Sequence, residues 1–287
     1  MEKDNDGKGK LILIGLPIGN LKDITINALD ALKDGKYFFV EDTRSFINLL
    51  DLLEVSRFGK VIDSFHDQSD KSKINKIIQL LHQGIDVFYC SEAGSPSISD
   101  PGVKLLKELS LIDQEIQVKS FSGVSSVIVA LESCSVVFSK FMFHGFLPRD
   151  KKNQVNLINE ISRNDVAHVF FESPHRVEKS LNHIKSMDNS PDFIYVCREL
   201  TKKFEQIVCL KRSDNFIGVD KIKIKGEFVI ILKYEKIVGG GVELDRKKLL
   251  KFANSYIDGD RRPKTLSKML SLITDMDPKE VYSKIIK

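Results

Sequence analysis

Leu11-Ile12-Leu13-Ile14-Gly15-Leu16-Pro17-Ile18-Gly19-Asn20 passes from an unbroken apolar run into a turn built of glycine and proline. A short apolar run bounded by turn residues reads as a buried strand, and Ile24, Ala28 and Leu32 beyond it share one face at helical spacing. The unit is therefore strand, turn, helix. Residues 37–40, 61–64, 85–90 and 116–119 again have the length and composition of buried strands, and Ile74, Ile77, Ile78 and Leu81 fall on one helical face between two of them. Strands alternating with helices predict a largely parallel sheet with helices on its faces.

The pattern changes near Ser122-Gly123. A helix of small residues is predicted next, followed by strands at residues 141–143, 166–171, 193–197, 206–210 and 226–233. Several of these strands have connections too short for a helical crossover, so the second sheet is predicted to be mixed. Gly239, Gly240 and Gly241 read as a hinge. Past it, Leu249, Leu250, Ala253 and Tyr256 predict one helix, and Leu266, Met269, Leu270 and Ile273 a second. Asp277, Pro278 and Glu280 supply the cap, first-turn proline and capping-box partner of a third. A chain of 287 residues exceeds one comfortable core, since cores divide at roughly 250 to 300 residues. The fold class is α/β in two domains, at 11–120 and 121–238, with a polar tail at 1–10 and a basic helical appendage at 239–287.

Apolar residues at 42% and charged residues at 29% exclude global disorder. The start of the chain is polar, and no apolar stretch approaches the roughly 20 residues of a spanning helix, so neither a secretory signal nor a membrane segment is expected. Cys90, Cys134, Cys197 and Cys209 are widely spaced with no Cys-x-x-Cys, which predicts small buried side chains in a reducing cytoplasm rather than zinc ligands or disulfides. The six histidines show no metal-ligand spacing, so no metal is expected. The net charge is +4, and residues 239–287 hold all of the excess, eleven Lys and Arg against seven Asp and Glu. Such a segment is either a solvated helical surface or a contact for phosphate backbone.

Three loops at strand ends are candidates for chemistry, and the first reads by itself as an ordinary strand-to-helix turn. The turn after the first strand lacks both GxGxxG and a Gly-Lys-Ser/Thr ending, so no phosphate cradle is predicted there. Glu41-Asp42-Thr43-Arg44 follows the second apolar run, at the carboxyl edge of a parallel sheet, where open α/β sheets place their ligands. Helix capping by Asp42 or Thr43 is compatible with that role. Ser91-Glu92-Ala93-Gly94-Ser95-Pro96-Ser97-Ile98-Ser99-Asp100-Pro101-Gly102 lets backbone approach a flat ligand closely, and Asp100 before Pro101 marks a helix start.

Six blocks in order closely resemble the motifs of the ribosomal RNA small subunit methyltransferase I family, within the tetrapyrrole methylases. They are Pro17-Ile18-Gly19-Asn20-Leu21-Lys22-Asp23-Ile24-Thr25, Glu41-Asp42-Thr43-Arg44, Ala93-Gly94-Ser95-Pro96 with Ser99-Asp100-Pro101-Gly102, Gly145-Phe146-Leu147-Pro148-Arg149, Glu172-Ser173-Pro174-His175-Arg176 and Arg198-Glu199-Leu200-Thr201-Lys202. The resemblance implies a two-domain tetrapyrrole-methylase fold with S-adenosylmethionine in the cleft, and methylation of a cytidine ribose 2'-hydroxyl in small-subunit (16S) ribosomal RNA by a homodimer. It assigns Pro17, Gly19, Asn20, Ala93, Gly94, Ser95, Pro96, Gly123, Ser125 and Ser126 to the cofactor. Glu41, Asp42, Arg44, Glu172, His175, Arg198, Glu199 and Lys202 become the acceptor-side candidates, with the identity of the base open. The chain departs from the family pattern at Glu92 and Ser95, at Phe121-Ser122-Gly123-Val124-Ser125-Ser126 and at Phe65-His66-Asp67-Gln68.

A neutral ribose hydroxyl is a poor nucleophile, so alignment, which can supply roughly 7 to 11 kcal/mol, needs support from a base or a cationic stabiliser. The rival readings are a same-fold methyltransferase acting on a tetrapyrrole or protein side chain, which has no need of a basic tail, and a noncatalytic RNA-binding assembly protein, which would not bind S-adenosylmethionine. Removal of residues 239–287 is expected to leave cofactor affinity nearly intact, because the loops assigned to the cofactor all lie upstream. RNA binding is expected to weaken, the slope of log affinity against log salt falling by roughly 0.7 to 0.9 for each phosphate no longer engaged. Calorimetry and salt-titrated RNA binding check this. Joint loss of both ligands with a lowered unfolding midpoint would mark the segment as a cover for the core.

Overall fold

The computed structural model describes residues 7–66, 68–98, 100–135, 138–162, 166–235, 263–274 and 277–285. Those up to residue 235 form one compact unit, and the two last helices belong to another. The first sheet holds β1 (Leu11–Ile14), β2 (Tyr37–Val40), β3 (Val61–Ser64), β4 (Val87–Cys90) and β5 (Val118–Phe121) in the order β3-β2-β4-β1-β5. Every pair is parallel. The helices between them are α1 (Ile26–Asp34), α2 (Thr43–Leu52), α3 (Lys71–His82) and α4 (Gly102–Ile112).

The alternation of side chains along each strand decides which helices cover which face. Ile12 and Ile14 of β1, with Phe38 and Val40 of β2, pack under α1 and α2, whereas Leu11, Leu13, Phe39 and Tyr89 pack under α3 and α4. All four β1 residues are buried, as a central strand covered on both faces requires. From β1 the chain leaves past β4 over one face, and from β4 it leaves past β1 over the other. The β1–β4 boundary is thus a topological switch point, where the loops leaving the two strands open a crevice.

The second sheet holds β6 (Phe141–Phe146), β7 (Ala167–Glu172), β8 (Phe193–Arg198), β9 (Gln206–Lys211) and β10 (Phe228–Lys233) in the order β6-β7-β10-β8-β9. Only β6 and β7 run parallel, so the sheet is mixed as the short connections predict. α6 (Lys151–Ile161) and α7 (Val177–Lys185) cover the face of Phe170, Val196 and Ile230, while α5 (Ser126–Ser133) covers that of Val169, Cys197 and Val229. Ile18, from the first β1 loop, packs into the latter cluster. The other unit contains α8 (Pro263–Thr274) and α9 (Pro278–Ile285), and the Asp277 carboxylate accepts the Lys279 N–H at 2.8 Å as its predicted cap. The glycine hinge and the helix predicted around Leu249 to Tyr256 lie outside the described residues. Among those described, no helix is long and apolar enough to cross a membrane.

Several expectations shift. α1 begins at Ile26 because Thr25 caps it, its hydroxyl accepting the Ala28 N–H, and Leu21–Asp23 form a separate 3-10 turn. β5 starts two residues later than its apolar content predicts, since Ile116 is held in a turn by Asp113 and the strand itself is an exposed edge. Cys90, Cys134 and Cys197 are buried, but Cys209 is exposed because it faces outward on the edge strand β9.

The two sheets meet at glycines. A Cβ on Gly15 would lie 2.5 Å from the Gly123 backbone nitrogen, and one on Gly123 would lie 2.7 Å from the Gly15 carbonyl carbon. Both backbones have little room to retreat, because Gly15 N–H donates to Phe121 O at 2.8 Å and β5 is in register with β1. Gly123→Ala is expected to destabilise the protein by about 1 to 3 kcal/mol, the range of overpacked interiors, measured as a lower denaturation midpoint. An unchanged midpoint would show that the approach is looser than described.

Candidate functional site

A cavity of about 400 Å³ opens at the crevice. Ala93, Gly94, Ser95, Ile98 and Asp100 line it from the loop after β4, and Ile18 from the loop after β1. Ser125 and Ser126 contribute the start of α5, while Glu172, Ser173, Pro174, Leu200, Glu227, Phe228 and Val229 form the wall built on the second sheet. Gly94 bridges to Leu16 through two backbone hydrogen bonds, of 2.9 and 3.0 Å. At φ +71° and with Ile18 Cγ2 3.3 Å from any added Cβ, this position favours glycine on both counts.

The edge of the first sheet is acidic. Glu41 Oε2 accepts the Glu92 N–H at 3.1 Å, and Ser45 Oγ donates to Glu92 Oε1 at 3.3 Å. Asp42 is the cap of α2, accepting the N–H groups of Arg44 and Ser45 at 2.8 Å each. The Ser45 bond is the main reason its carboxylate titrates below the usual range. Arg44 is exposed and forms no ion pair among the described residues. Asp100 behaves differently: burial first, then the charge of Glu41 and more weakly that of Glu92, pushes its carboxyl up to about 7. No side chain caps α4, so the Asp100 carboxyl is not occupied at the helix start that the sequence predicts for it.

The opposite wall is braced by charges that neutralise one another. The Glu172 side chain is fully buried, pairs with Arg176 Nη2 at 2.5 Å and accepts Ser180 Oγ at 2.7 Å. Arg176 also donates to Leu147 O at 3.2 Å, which fixes the turn after β7. Arg198 is 6% exposed and donates from Nε to Lys225 O and from Nη1 to Phe204 O at 2.8 Å. It holds backbone and is turned away from solvent. Glu199, at φ +51°, accepts the Glu227 N–H at 3.0 Å and pairs with Lys202 at 3.0 Å, and Lys202 also reaches Glu227 at 2.8 Å. Burial opposes the charge on Lys202, but the hydrogen bonds to Glu227 and Glu199 outweigh it and raise its titration above the usual lysine range. Gly19 lies against this loop so closely that a Cβ there would collide with Lys202 Cγ.

Of the predicted cofactor residues, Ala93, Gly94, Ser95, Ser125 and Ser126 line the cavity. Pro17 is buried beneath it, Asn20 caps the 3-10 turn by accepting the Lys22 N–H at 3.1 Å, Pro96 packs on Gly102 and Gly123 on Gly15. Among the acceptor-side candidates Glu172 lines it, while His175 is exposed outside. Asp100, Phe171, Cys197, Glu227, Phe228 and Val229 are among the lining residues that the sequence did not assign to the site. β10 runs antiparallel to β7 and β8, so its beginning, rather than its end, reaches this edge.

The tetrapyrrole (corrin/porphyrin) methylases match the chain over residues 10–214. The ribosomal RNA small subunit methyltransferase I of Thermotoga maritima is 37% identical over 224 residues, 78% of this chain and 98% of that one. That of Halalkalibacterium halodurans is 29% identical over 283 residues, 98% of this chain and 96% of that one. The chain belongs to the ribosomal RNA small subunit methyltransferase I family. Two solved structures share the tetrapyrrole-methylase fold: a diphthine synthase with TM-score 0.58 at 15% identity, over 79% of this chain and 91% of that one, and a cobalt precorrin-4 methyltransferase with TM-score 0.57 at 18%, over 78% and 94%. The two relatives named first differ in how much of this chain they reach, so members of the family differ by a segment of its length.

Because the Glu41 charge helps to raise Asp100, Glu41→Gln is expected to move the Asp100 midpoint down from about 7. Carbon-detected NMR titration of the side-chain carboxyls checks this, and an unmoved midpoint would assign the shift to burial and Glu92.

Proposed function

We propose that this chain transfers a methyl group from S-adenosylmethionine to the ribose 2'-hydroxyl of a cytidine in small-subunit (16S) ribosomal RNA. The observation that carries the reading is the cavity at the joined sheet edges of a chain whose curated relatives are named ribosomal RNA small subunit methyltransferase I. Its volume of about 400 Å³ suits one small-molecule ligand. Leu200, Phe228 and Val229 offer an apolar wall, and the small Ala93-Gly94-Ser95 face lets backbone approach a flat ring. α5 begins at the cavity with no side chain capping it, which suits its first-turn N–H groups to a carboxylate. These features fit S-adenosylmethionine, which when bound supplies an activated sulfonium methyl.

What remains for the protein is alignment and proton removal. Asp100 is the base in this proposal: with a midpoint near 7 its carboxylate is present at neutral pH and still holds a proton firmly. Glu41 and Glu92 keep that proton affinity high, and Asp42 starts the helix that presents Arg44 to phosphate. Glu172, Arg198 and Glu199 act as positioning residues through the turns they brace, with Lys202 held at the rim and His175 outside it for the RNA. We place the reaction in the cytoplasm and on a homodimer, an assembly supported by the apolar Phe141 and Met142 left exposed on the edge strand β6.

Ribose-methylation mapping of small-subunit RNA from cells with and without the protein is expected to show one cytidine 2'-O-methyl lost in its absence. In vitro, transfer is expected to rise with pH through the region around 7, and Asp100→Asn to keep cofactor affinity while losing most of the rate. If no ribose methyl disappears, the assignment fails. If Asp100→Asn transfers at the normal rate, another group is the base.

A further inference from the structure

Beside the cavity, two surface segments run together, residues 202–206 and 221–225. Arg198 ties them from beneath by donating to the backbone carbonyls of both Phe204 and Lys225. Gln206 ties them again, its amide donating to Lys221 O at 2.9 Å and its carbonyl accepting the Lys223 N–H at 3.3 Å. Ile222 anchors the second segment in the core. Two independent clamps, from Arg198 and Gln206, hold one surface.

That surface has a distinct chemistry. Phe204 is 62% exposed and Ile224 is 42% exposed, one on each of the two clamped segments. Lys203, Lys221, Lys223 and Lys225 are all exposed, and none forms an ion pair among the described residues. Lys203 Nζ lies 5.7 Å from the centre of the Phe204 ring. Of the acids nearby, Glu205 accepts the Thr201 N–H at 2.6 Å and Glu199 and Glu227 share Lys202, while Asp220 is exposed beside Lys221. Lysines without partners around an exposed aromatic ring match a flexible polyanion whose bases can stack. The surface joins the cavity directly, since Leu200 and Glu227 line the cavity and adjoin the two segments.

We infer that this platform docks single-stranded ribosomal RNA flanking the acceptor nucleotide, one base stacking on Phe204 and the phosphates following Lys203, Lys223 and Lys225. The inference rests on the RNA substrate proposed above and is separate from the basic C-terminal segment. Arg198 thereby gains a reason for its burial. It presets the loop backbone, so that RNA meets a formed surface and not one that must be ordered on binding.

The test uses the full chain, a small-subunit RNA transcript, intact small subunits and a mixed-sequence single-stranded oligoribonucleotide. Phe204→Ala is expected to weaken RNA binding by roughly tenfold to hundredfold, with Phe204→Tyr close to wild type. The pair Lys223→Gln and Lys225→Gln is expected to lower the salt slope on single strands by roughly 0.7 for each phosphate no longer engaged, and Lys→Arg at the same positions to restore it. Calorimetry with S-adenosylmethionine and the unfolding midpoint are expected to stay at wild-type values, which separates docking from misfolding. Unchanged RNA affinity in Phe204→Ala together with an unchanged slope in the lysine pair would overturn the proposal. So would a loss seen with intact subunits but not with naked RNA, which would mark a protein-facing surface. Docking with no methyl transfer would leave the platform standing and sink the enzymatic reading, so the two fail separately.

Discussion

The contact between Gly15 and Gly123 is the constraint on which the site depends. At Gly15 the chain leaves β1, an interior strand of the first sheet, and at Gly123 it leaves β5 for the helix that covers the second. Because neither carries a Cβ, the two backbones touch, and the exit of β1 is held beside the start of α5. Four residues on in the same loop, Gly19 lies against the Lys202 side chain. A side chain at either place would push the walls of the cavity apart. Close packing transmits such a change, since interiors near crystal density have few places to absorb it.

The cavity so formed is electrically asymmetric. On the first-sheet side burial, with the charges of Glu41 and Glu92 added to it, lets Asp100 hold its proton up to about 7. The other side carries as many charges, but Glu172 meets Arg176 and Glu199 meets Lys202 at salt-bridge distance. Those pairs stiffen turns, while the unpaired acids remain available for chemistry. A group with a shifted titration in a cleft is a stronger functional pointer than a paired one, because pairing removes the driving force to exchange a proton.

The same contrast organises the rim. Lys202 is held by two carboxylates, whereas the lysines at 203, 221, 223 and 225 form no ion pair among the described residues. Charged pairs exposed to water contribute little to stability, and unpaired lysines less still. Their arrangement on a doubly clamped surface is therefore better explained by what they bind than by what they hold together.

Much of this was legible in the residues. Apolar runs alternating with helical faces determined a parallel first sheet, short connections determined a mixed second one, and small residues at the strand ends located the loops around Gly19 and Gly94. These signals are local: burial period, turn chemistry and the absence of a Cβ are properties of neighbours in the chain. Tertiary structure alone turned Arg198 inward onto two carbonyls, left Cys209 outside on an edge strand and brought the start of β10 to the cavity. It alone made Asp100 more than a residue before a helix, because its proton affinity is set by burial and by Glu41, which the sequence places far away and the fold places close enough for their charges to act. Periodicity records which face of an element is buried, but an electrostatic field depends on distance through space, and that is decided only when the strands take their order in the sheet.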